Sequence, residues 1–181
     1  MILSQEDSAL FFKLWMPLLR FASETHHLHV GKLMKSDGGM NLSATYEVAS
    51  AIWEDVSIID DYLARFPEIS KEDRNIILNW KHAVHGCFAL ERHLSGGSIF
   101  ISVENGEVYL VKGIVSSWPE LFEEDLLPVI LTTTLLPFKD VIITDGLFSL
   151  SNVAVGPVIR QDLRNLYIQA RKSHSVKKVA L

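Results

Sequence analysis

The feature that most constrains the fold of this 181-residue sequence is a change of hydrophobic period near residue 87. Before that point apolar residues recur at helical spacing, as in the stripe from Ala44 through Ile52 to Leu63. After it, short apolar segments such as CFALERHL and SIFISVE alternate with turn residues. We therefore predict an α+β protein with a helical part at 1–86 and a β-rich part at 87–181.

Three helices are predicted in the first part from their capping residues. Ser4 begins the first, which Pro17 is expected to kink or divide because proline lacks a backbone donor. Ser43 caps the second, which carries the long apolar stripe as far as Pro67. Ser70 caps the third, and Gly86 is placed to end it.

The second part is predicted to be a small, curved antiparallel sheet, barrel-like and of the SH3-like or OB-like type, followed by a helix that starts at Gly156-Pro157. Asn105-Gly106 is the strongest hairpin signal. In the segment TTTLLPFKDVIITDG we expect a connection from Pro137 to Asp140 and a second hairpin turn at Asp145-Gly146. Both aspartates are accordingly interpreted as turn residues.

The amino-acid composition indicates where in the cell the protein is found and which classes of partner it can bind. Lys and Arg number 17 against 22 Asp and Glu, a net charge of −5 that argues against a domain-wide grip on nucleic acid. The single cysteine, Cys87, excludes an internal disulfide framework. The acidic start MILSQEDSAL lacks the basic region of a signal peptide, and the apolar runs are too short to span a membrane. We expect a cytoplasmic protein with no membrane partner.

Histidines supply the candidate metal site. His82 and His85 are three residues apart on the predicted third helix, where two imidazoles would share a face. Surface or capping roles are the preferred interpretation, and a metal-dependent enzyme that uses this pair is the alternative. His26, His27 and His29 form a second cluster, and no cofactor is predicted.

A basic bias near the C-terminus is the candidate binding surface. Arg160 and Arg164 lie four residues apart on the predicted last helix. Four more cations follow them in the chain: Arg171, Lys172, Lys177 and Lys178. This stripe could contact the phosphates of nucleic acid or another acidic partner. The alternative is that the cations complement the helix dipole and are otherwise solvated.

The segments CFALERHLSGGSIFI, VYLVKGI, LPVILTTTLLPFKDVIITDG and VGPVIRQDLRNLYIQA together resemble uncharacterised bacterial proteins, some of which carry a C-terminal SEC-C metal-binding motif. The resemblance covers about residues 75 to 172 and implies no activity. This sequence ends SHSVKKVAL without a cysteine cluster, so the zinc binding of those relatives is not carried over.

No motif for nucleophilic catalysis or phosphate cradling is present: a Gly-x-Ser-x-Gly elbow is missing, and SGGS at 95–98 lacks both the lysine and the following helix. We therefore expect a non-enzymatic binding or adaptor protein whose partner is another protein or a second copy of the chain. The metal-dependent enzyme and the nucleic-acid binder remain alternatives.

Overall fold

The computed structural model describes residues 1–25, 33 and 39–179. In this part of the chain the protein has six α-helices and a mixed sheet of five strands, which confirms the α+β class. Contacts divide it into two compact units: Glu6–Lys81, and Met1–Gln5 together with the residues from His82 onward. None of the described helices is both long and apolar enough to cross a lipid bilayer.

Four helices make up the helical unit: α1 (Gln5–Thr25), α2 (Leu42–Glu54), α3 (Ser57–Arg65) and α4 (Lys71–Asn79). Aromatic rings dominate its interior. The indole of Trp15 stacks on that of Trp53 with 5.3 Å between centroids and meets Trp80 edge-to-face at 5.8 Å. Helix α1 is not divided at Pro17, because buried residues both before and after the proline hold the two turns in one helix.

The predicted second helix is two helices. Asn41, not Ser43, caps α2, and its side-chain oxygen accepts a hydrogen bond from the backbone of Ala44 at 3.3 Å. The break falls at Asp55, whose carboxylate accepts hydrogen bonds from the Ser57 backbone N–H at 3.0 Å and hydroxyl at 2.6 Å. A short acidic side chain that bonds the following backbone competes with the helical ladder, which explains the break.

Helix α4 begins as predicted and ends earlier. The Ser70 hydroxyl accepts a hydrogen bond from the Asp73 backbone at 3.1 Å, which confirms the cap. The helix ends at Asn79, a 3₁₀ turn (Trp80–His82) follows, and a strand has begun at Val84. The prediction that Gly86 ends this helix is wrong, because strand pairing already takes up the backbone there.

The second unit contains strands β1 (Val84–Leu94), β2 (Gly97–Ser102), β3 (Val108–Val111), β4 (Val129–Phe138) and β5 (Val141–Leu150), and helices α5 (Trp118–Leu121) and α6 (Pro157–Lys172). The strand order β1-β2-β3-β5-β4 is closed, since β4 also pairs with β1. The sheet is not wholly antiparallel as predicted: β3 and β5 run parallel and pair only at Val111 and Ile142. Because β3 and β5 meet only near one end of each strand, no hairpin or long ladder forces them to run antiparallel.

The β2–β3 hairpin forms around the predicted Asn105-Gly106 turn. Gly106 has a φ of +73°, the left-handed conformation that favours glycine. The Asn105 side chain accepts a hydrogen bond from the Glu107 backbone at 3.0 Å, so it closes an Asx turn. The loop is longer than the two residues of the tightest hairpins, because residues 103–107 all lie between the strands.

Pro137 lies within β4 and not in a connection. It pairs with Ile142 near the end of the strand, and the chain reverses at Lys139 and Asp140 alone. Lys139 takes the positive φ that this tight turn requires, at +53°. The predicted connection from Pro137 to Asp140 is therefore too long by two residues, which continue the ladder instead.

Asp145 and Gly146 lie inside β5, so the predicted second hairpin is wrong. Gly146 has a φ of +85°, and the register between β4 and β5 shifts opposite it, between Thr133 and Leu135. This geometry is a β-bulge, in which residues 145–147 of β5 lie opposite the single residue Thr134 of β4, so β5 carries two extra residues. The Asp145 carboxylate accepts a hydrogen bond from the Leu147 backbone at 3.0 Å and is buried. Asp145 is a structural residue of the strand, not of a turn.

The middle of the sheet is buried on both faces, so every residue of β2 and the second half of β4 are buried. Phe88, Leu90 and Phe100 belong to one cluster, which Trp118 of α5 joins. On the opposite face Ala89, Ile99 and Ile101 pack with Leu163 and Tyr167 of α6. Helix α6, with Pro157 at its first position as predicted, thus covers the outer face of β1, β2 and β3.

Candidate functional site

A cleft opens where the last turn of α6 and the residues after it meet the outer face of β1, β2 and β3. Its volume is about 410 Å³, within the range of roughly 300–1,000 Å³ typical of small-molecule sites. Five of the side chains that line it are apolar or aromatic: Leu94, Ile99, Leu110, Tyr167 and Val176. These residues form an apolar floor on which a hydrocarbon or ring could pack.

The other three lining residues are nitrogen donors. Arg171 ends the basic last turn of α6, and His174 and Lys178 follow it in the chain. All three are exposed. Two permanent cations therefore border an apolar floor in a chain whose net charge is −5. Exposed Lys172, the next residue along the helix, does not line the cleft.

Tyr167 is held in place by a stacked ion pair. The Arg92 guanidinium lies 4.3 Å from the centre of the Tyr167 ring and donates hydrogen bonds to Glu91, one of them at 2.8 Å. The Glu91 side chain is only 8% exposed, and its hydrogen bond to Arg92 raises the pKa of that guanidinium. Arg92 therefore orients the Tyr167 ring. Because the charge of Arg92 is already paired with Glu91, a charged ligand would bind to the cations that line the cleft.

The segment 173–179, which we call the tail, forms one wall of the cleft by docking on β3. The Lys177 N–H donates to the Val108 carbonyl at 2.9 Å, and the Leu110 N–H donates to the Lys177 carbonyl at 2.8 Å. This is a parallel bridge centred on Tyr109. The tail thus pairs with the edge of β3 through one residue, Lys177.

A carboxylate outside the cleft clamps the tail. Glu107 accepts hydrogen bonds from the Lys177 ammonium and from the Tyr109 hydroxyl, both at 2.6 Å. The hydrogen bond from Lys177, and after it the one from Tyr109, lowers the pKa of Glu107. Burial, and after it the hydrogen bond to Glu107, raises the pKa of Tyr109 well above its usual value. The Lys177 ammonium also lies 5.3 Å from the centre of the Tyr109 ring. Glu107 therefore stays ionised and Tyr109 stays a donor.

His174 has an unusual backbone conformation. Its φ is +57°, a left-handed value that histidine adopts more readily than most residues but that glycine adopts without strain. The helix ends here, with the Ser175 N–H donating to the Ala170 carbonyl at 2.9 Å. A residue in the left-handed conformation directly after the C-cap is a common way for a helix to end. At this position the imidazole lies on the wall of the cleft.

His82 and His85 do not share a helix face as predicted. His82 is in the 3₁₀ turn and His85 is in β1, where its Nδ1 lies 2.8 Å from the Thr134 hydroxyl. The period of α4 does not extend to residue 85, because pairing with β4 has replaced it. In the described ranges, no three His, Cys, Asp or Glu residues are grouped so that they could hold a metal ion. His26, His27 and His29 lie outside the described residues.

The four predicted basic residues of α6 separate into different environments. The Arg160 guanidinium donates to the Leu127 carbonyl and, at 3.0 Å, to the Val155 carbonyl, so it ties the start of α6 to neighbouring loops. Arg164 is exposed, Arg171 lines the cleft, and Lys172 does not. Only one of the four thus belongs to the cleft.

Sequence reasoning included Arg171 and Lys178 in the basic bias near the C-terminus but missed most of the cleft, notably Tyr167 and His174. The basic bias of the last twenty residues was the available signal for the cations. No sequence signal identified the apolar floor, since Leu94, Ile99 and Leu110 have the pattern of ordinary core residues. Burial and, after it, the charge of Glu104 raise the pKa of the half-buried Cys87 thiol, whereas an activated cysteine has a lowered pKa.

No protein-family model matches the sequence, and no curated protein or solved structure is significantly similar to it. The geometry of the cleft therefore carries the functional conclusion.

Proposed function

We propose that the protein is a non-enzymatic binding protein whose cleft takes a small anionic amphiphile, meaning an aliphatic or aromatic body with one carboxylate or phosphate group. One observation carries this proposal: an apolar floor of five side chains is bordered by Arg171 and Lys178, and none of the eight described residues lining the cleft is acidic. A cationic border without a carboxylate partner is complementary to an anion.

Affinity would come from both halves of such a ligand. Each buried methylene contributes about 0.8 kcal/mol, so an eight-carbon body has enough apolar surface to bind measurably. A charge-assisted hydrogen bond contributes about 1.5–3 kcal/mol more. The planar fork of Arg171 can bond both oxygens of a carboxylate or phosphate, whereas Lys178 acts as a point charge.

Binding explains the cleft better than catalysis does, because the residues that line the cleft do not include two catalytic groups side by side. Its one imidazole, that of His174, has no carboxylate or thiol beside it among the lining residues. Nucleophilic or acid-base catalysis usually needs a second group within hydrogen-bond reach of the first.

Several finer statements belong to the same proposal. A cytoplasmic location is supported by the lone Cys87. An SH3-like or OB-like identity for the sheet is supported by its small size and closed strand order. Self-association and membership of the bacterial family that the sequence resembles stay predictions.

The head group of the ligand provides the first test. We would titrate the protein with octyl phosphate, octanoate, octanol and octylammonium, and follow methyl signals of Ile99 and Leu110 by NMR. The two anions should bind and shift those methyls. Octanol should bind at least about tenfold more weakly, since it lacks the charge-assisted bond, and octylammonium weaker still. Equal affinity for all four probes would contradict the proposal.

A matched pair of charge reversals provides the second test. Arg171→Glu should weaken octyl phosphate binding at least about tenfold, because it replaces a cation of the cleft by an anion. Lys172→Glu changes the net charge equally but outside the cleft, so affinity should stay within about twofold. Equal losses in the two variants would instead point to a diffuse electrostatic surface, such as the nucleic-acid contact predicted for α6.

A further inference from the structure

We propose that the tail is a strap whose docking on β3 is coupled to occupation of the cleft: the ligand holds the strap closed, and a closed strap raises ligand affinity. This inference rests on the proposed function, because it concerns regulation of the same cleft. It assigns a role to Glu107 and Lys177, neither of which lines the cleft.

The strap occupies an edge that the sheet leaves open. Strand β5 pairs with β3 only at Val111, so the backbone of Val108 and Leu110 on that side has no strand partner in β5. The tail supplies both missing hydrogen bonds through one residue, Lys177. An edge satisfied by a single bridge can open locally without unfolding the sheet.

Alternation along the strap divides its side chains between two tasks. His174, Val176 and Lys178 line the cleft, whereas Lys177, between the last two, points its ammonium to Glu107 outside it. This is the period of two expected of a strand. When the strap leaves β3, three of the eight lining residues leave with it, so the open state has an incomplete cleft.

The contacts that close the strap are modest. The Lys177–Glu107 pair is exposed by more than a third on both sides, and exposed pairs contribute about 0–1 kcal/mol. Closing also brings the charge of Lys178 toward that of Arg171, and this repulsion opposes docking. An anion between the two cations would remove the repulsion. Because such coupling is reciprocal, the ligand should stabilise the strap by the same factor as the strap improves affinity.

Amide exchange measures the strap directly. The N–H groups of Lys177 and Leu110 donate across the strap bridge, so their exchange rates report its opening. Saturating octyl phosphate should slow exchange at both amides by about tenfold, within the usual range of coupling. Amides of the β1–β2 ladder outside the cleft, such as that of Ile101, serve as controls and should change much less.

Two variants open the strap without touching the cleft. Glu107→Gln removes the charge of the clamp and should speed exchange at Leu110 by up to about fivefold. Lys177→Pro also removes the donor to Val108, and should lower octyl phosphate affinity by about tenfold. Val179→Pro, beyond the bridge, is the matched control and should bind like the wild type. If Lys177→Pro does not fold, Glu107→Gln combined with Lys177→Ala takes its place.

The outcomes separate the two proposals. If the wild type binds octyl phosphate but the strap-opening variants bind it equally well, the coupling is wrong and the proposed function stands. Unchanged amide exchange in those variants would also overturn the strap, since its contacts would not be holding it. If the wild type binds none of the anionic probes, the proposed function fails and the coupling fails with it.

Discussion

The bulge at Gly146 offers the sharpest test of the fold, because it reverses the usual residue preferences of a strand. Replacing this glycine by a residue with a side chain forces a φ of +85° on it, which costs about 1–2 kcal/mol. Steric overlap adds little, since the nearest atom to a new Cβ is Ile114 Cδ1 at 3.6 Å, an ordinary contact. Alanine also restricts the unfolded chain, which stabilises the folded protein by about 0.4–1 kcal/mol. Gly146→Ala should therefore destabilise the protein by about 1 kcal/mol.

A graded series separates this strain from ordinary strand propensity. Asn tolerates positive φ better than Ala, and a β-branched residue tolerates it worst. Gly146→Asn should thus be the mildest change and Gly146→Val the most damaging. In a regular strand the order is the opposite, because Val is favoured and Asn disfavoured.

Urea unfolding followed by circular dichroism gives the free energies, compared at a constant dependence on denaturant. Gly86→Ala is the control: residue 86 lies in β1 without a positive φ and the nearest atom to a new Cβ is at 3.9 Å, so the change should not destabilise the protein. If Val proves better tolerated than Asn at residue 146, β5 runs straight there and the bulge is wrong.

Three further predictions follow from single contacts. The pKa of Glu107 is lower in the folded protein than in the unfolded chain, so its stabilisation is present above about pH 4.3 and is lost as the pH falls through the folded value; protection of the Lys177 amide should fall over that range, and Glu107→Gln should abolish the dependence. The Arg74 guanidinium donates to the Leu63 and Phe66 carbonyls at 3.1 and 3.3 Å, so Arg74→Met should lower the free energy of unfolding by about 1–2 kcal/mol in urea, with exposed Arg65→Met as the neutral comparison. In His93, Nε2 lies 2.8 Å from the Phe122 carbonyl and Nδ1 lies 2.8 Å from the Ser98 hydroxyl; His93→Phe leaves both oxygens without that partner and should cost about 1–3 kcal/mol, whereas an unchanged melting temperature would show that solvent replaces the ring.

Local signals predicted the elements whose ends depend on neighbouring residues alone. Ser70 caps α4, Pro157 opens α6, and Gly106 takes the positive φ of a hairpin loop, all as the sequence indicates. A cap or a glycine turn acts within three or four residues of itself, so the sequence window contains the whole interaction. The α+β class follows from the same kind of local pattern.

The predictions were wrong where one sequence pattern fits two structures and pairing with a strand distant in the sequence determines which of them forms. Asp145-Gly146 fits a tight turn and a bulge equally well, because both need a glycine at positive φ. The outcome depends on Thr133 in β4, whose hydroxyl donates to the Leu147 carbonyl at 2.6 Å and holds the strand beyond the bulge in the sheet. His82 and His85 were misplaced for a related reason, since the ladder with β4 starts before the helical pattern ends.

The cleft shows the same dependence at the level of function. The alternation of His174, Val176 and Lys178 is visible in the sequence, but a stretch of seven residues after a helix has the same pattern whether it is solvated or docked. What gives it meaning is the edge of β3, which is open because β5 meets it only at Val111. That edge is set by the closed strand order and not by any residue near the tail. A basic C-terminal segment therefore predicts a charge, while only the sheet determines that the charge borders an apolar floor.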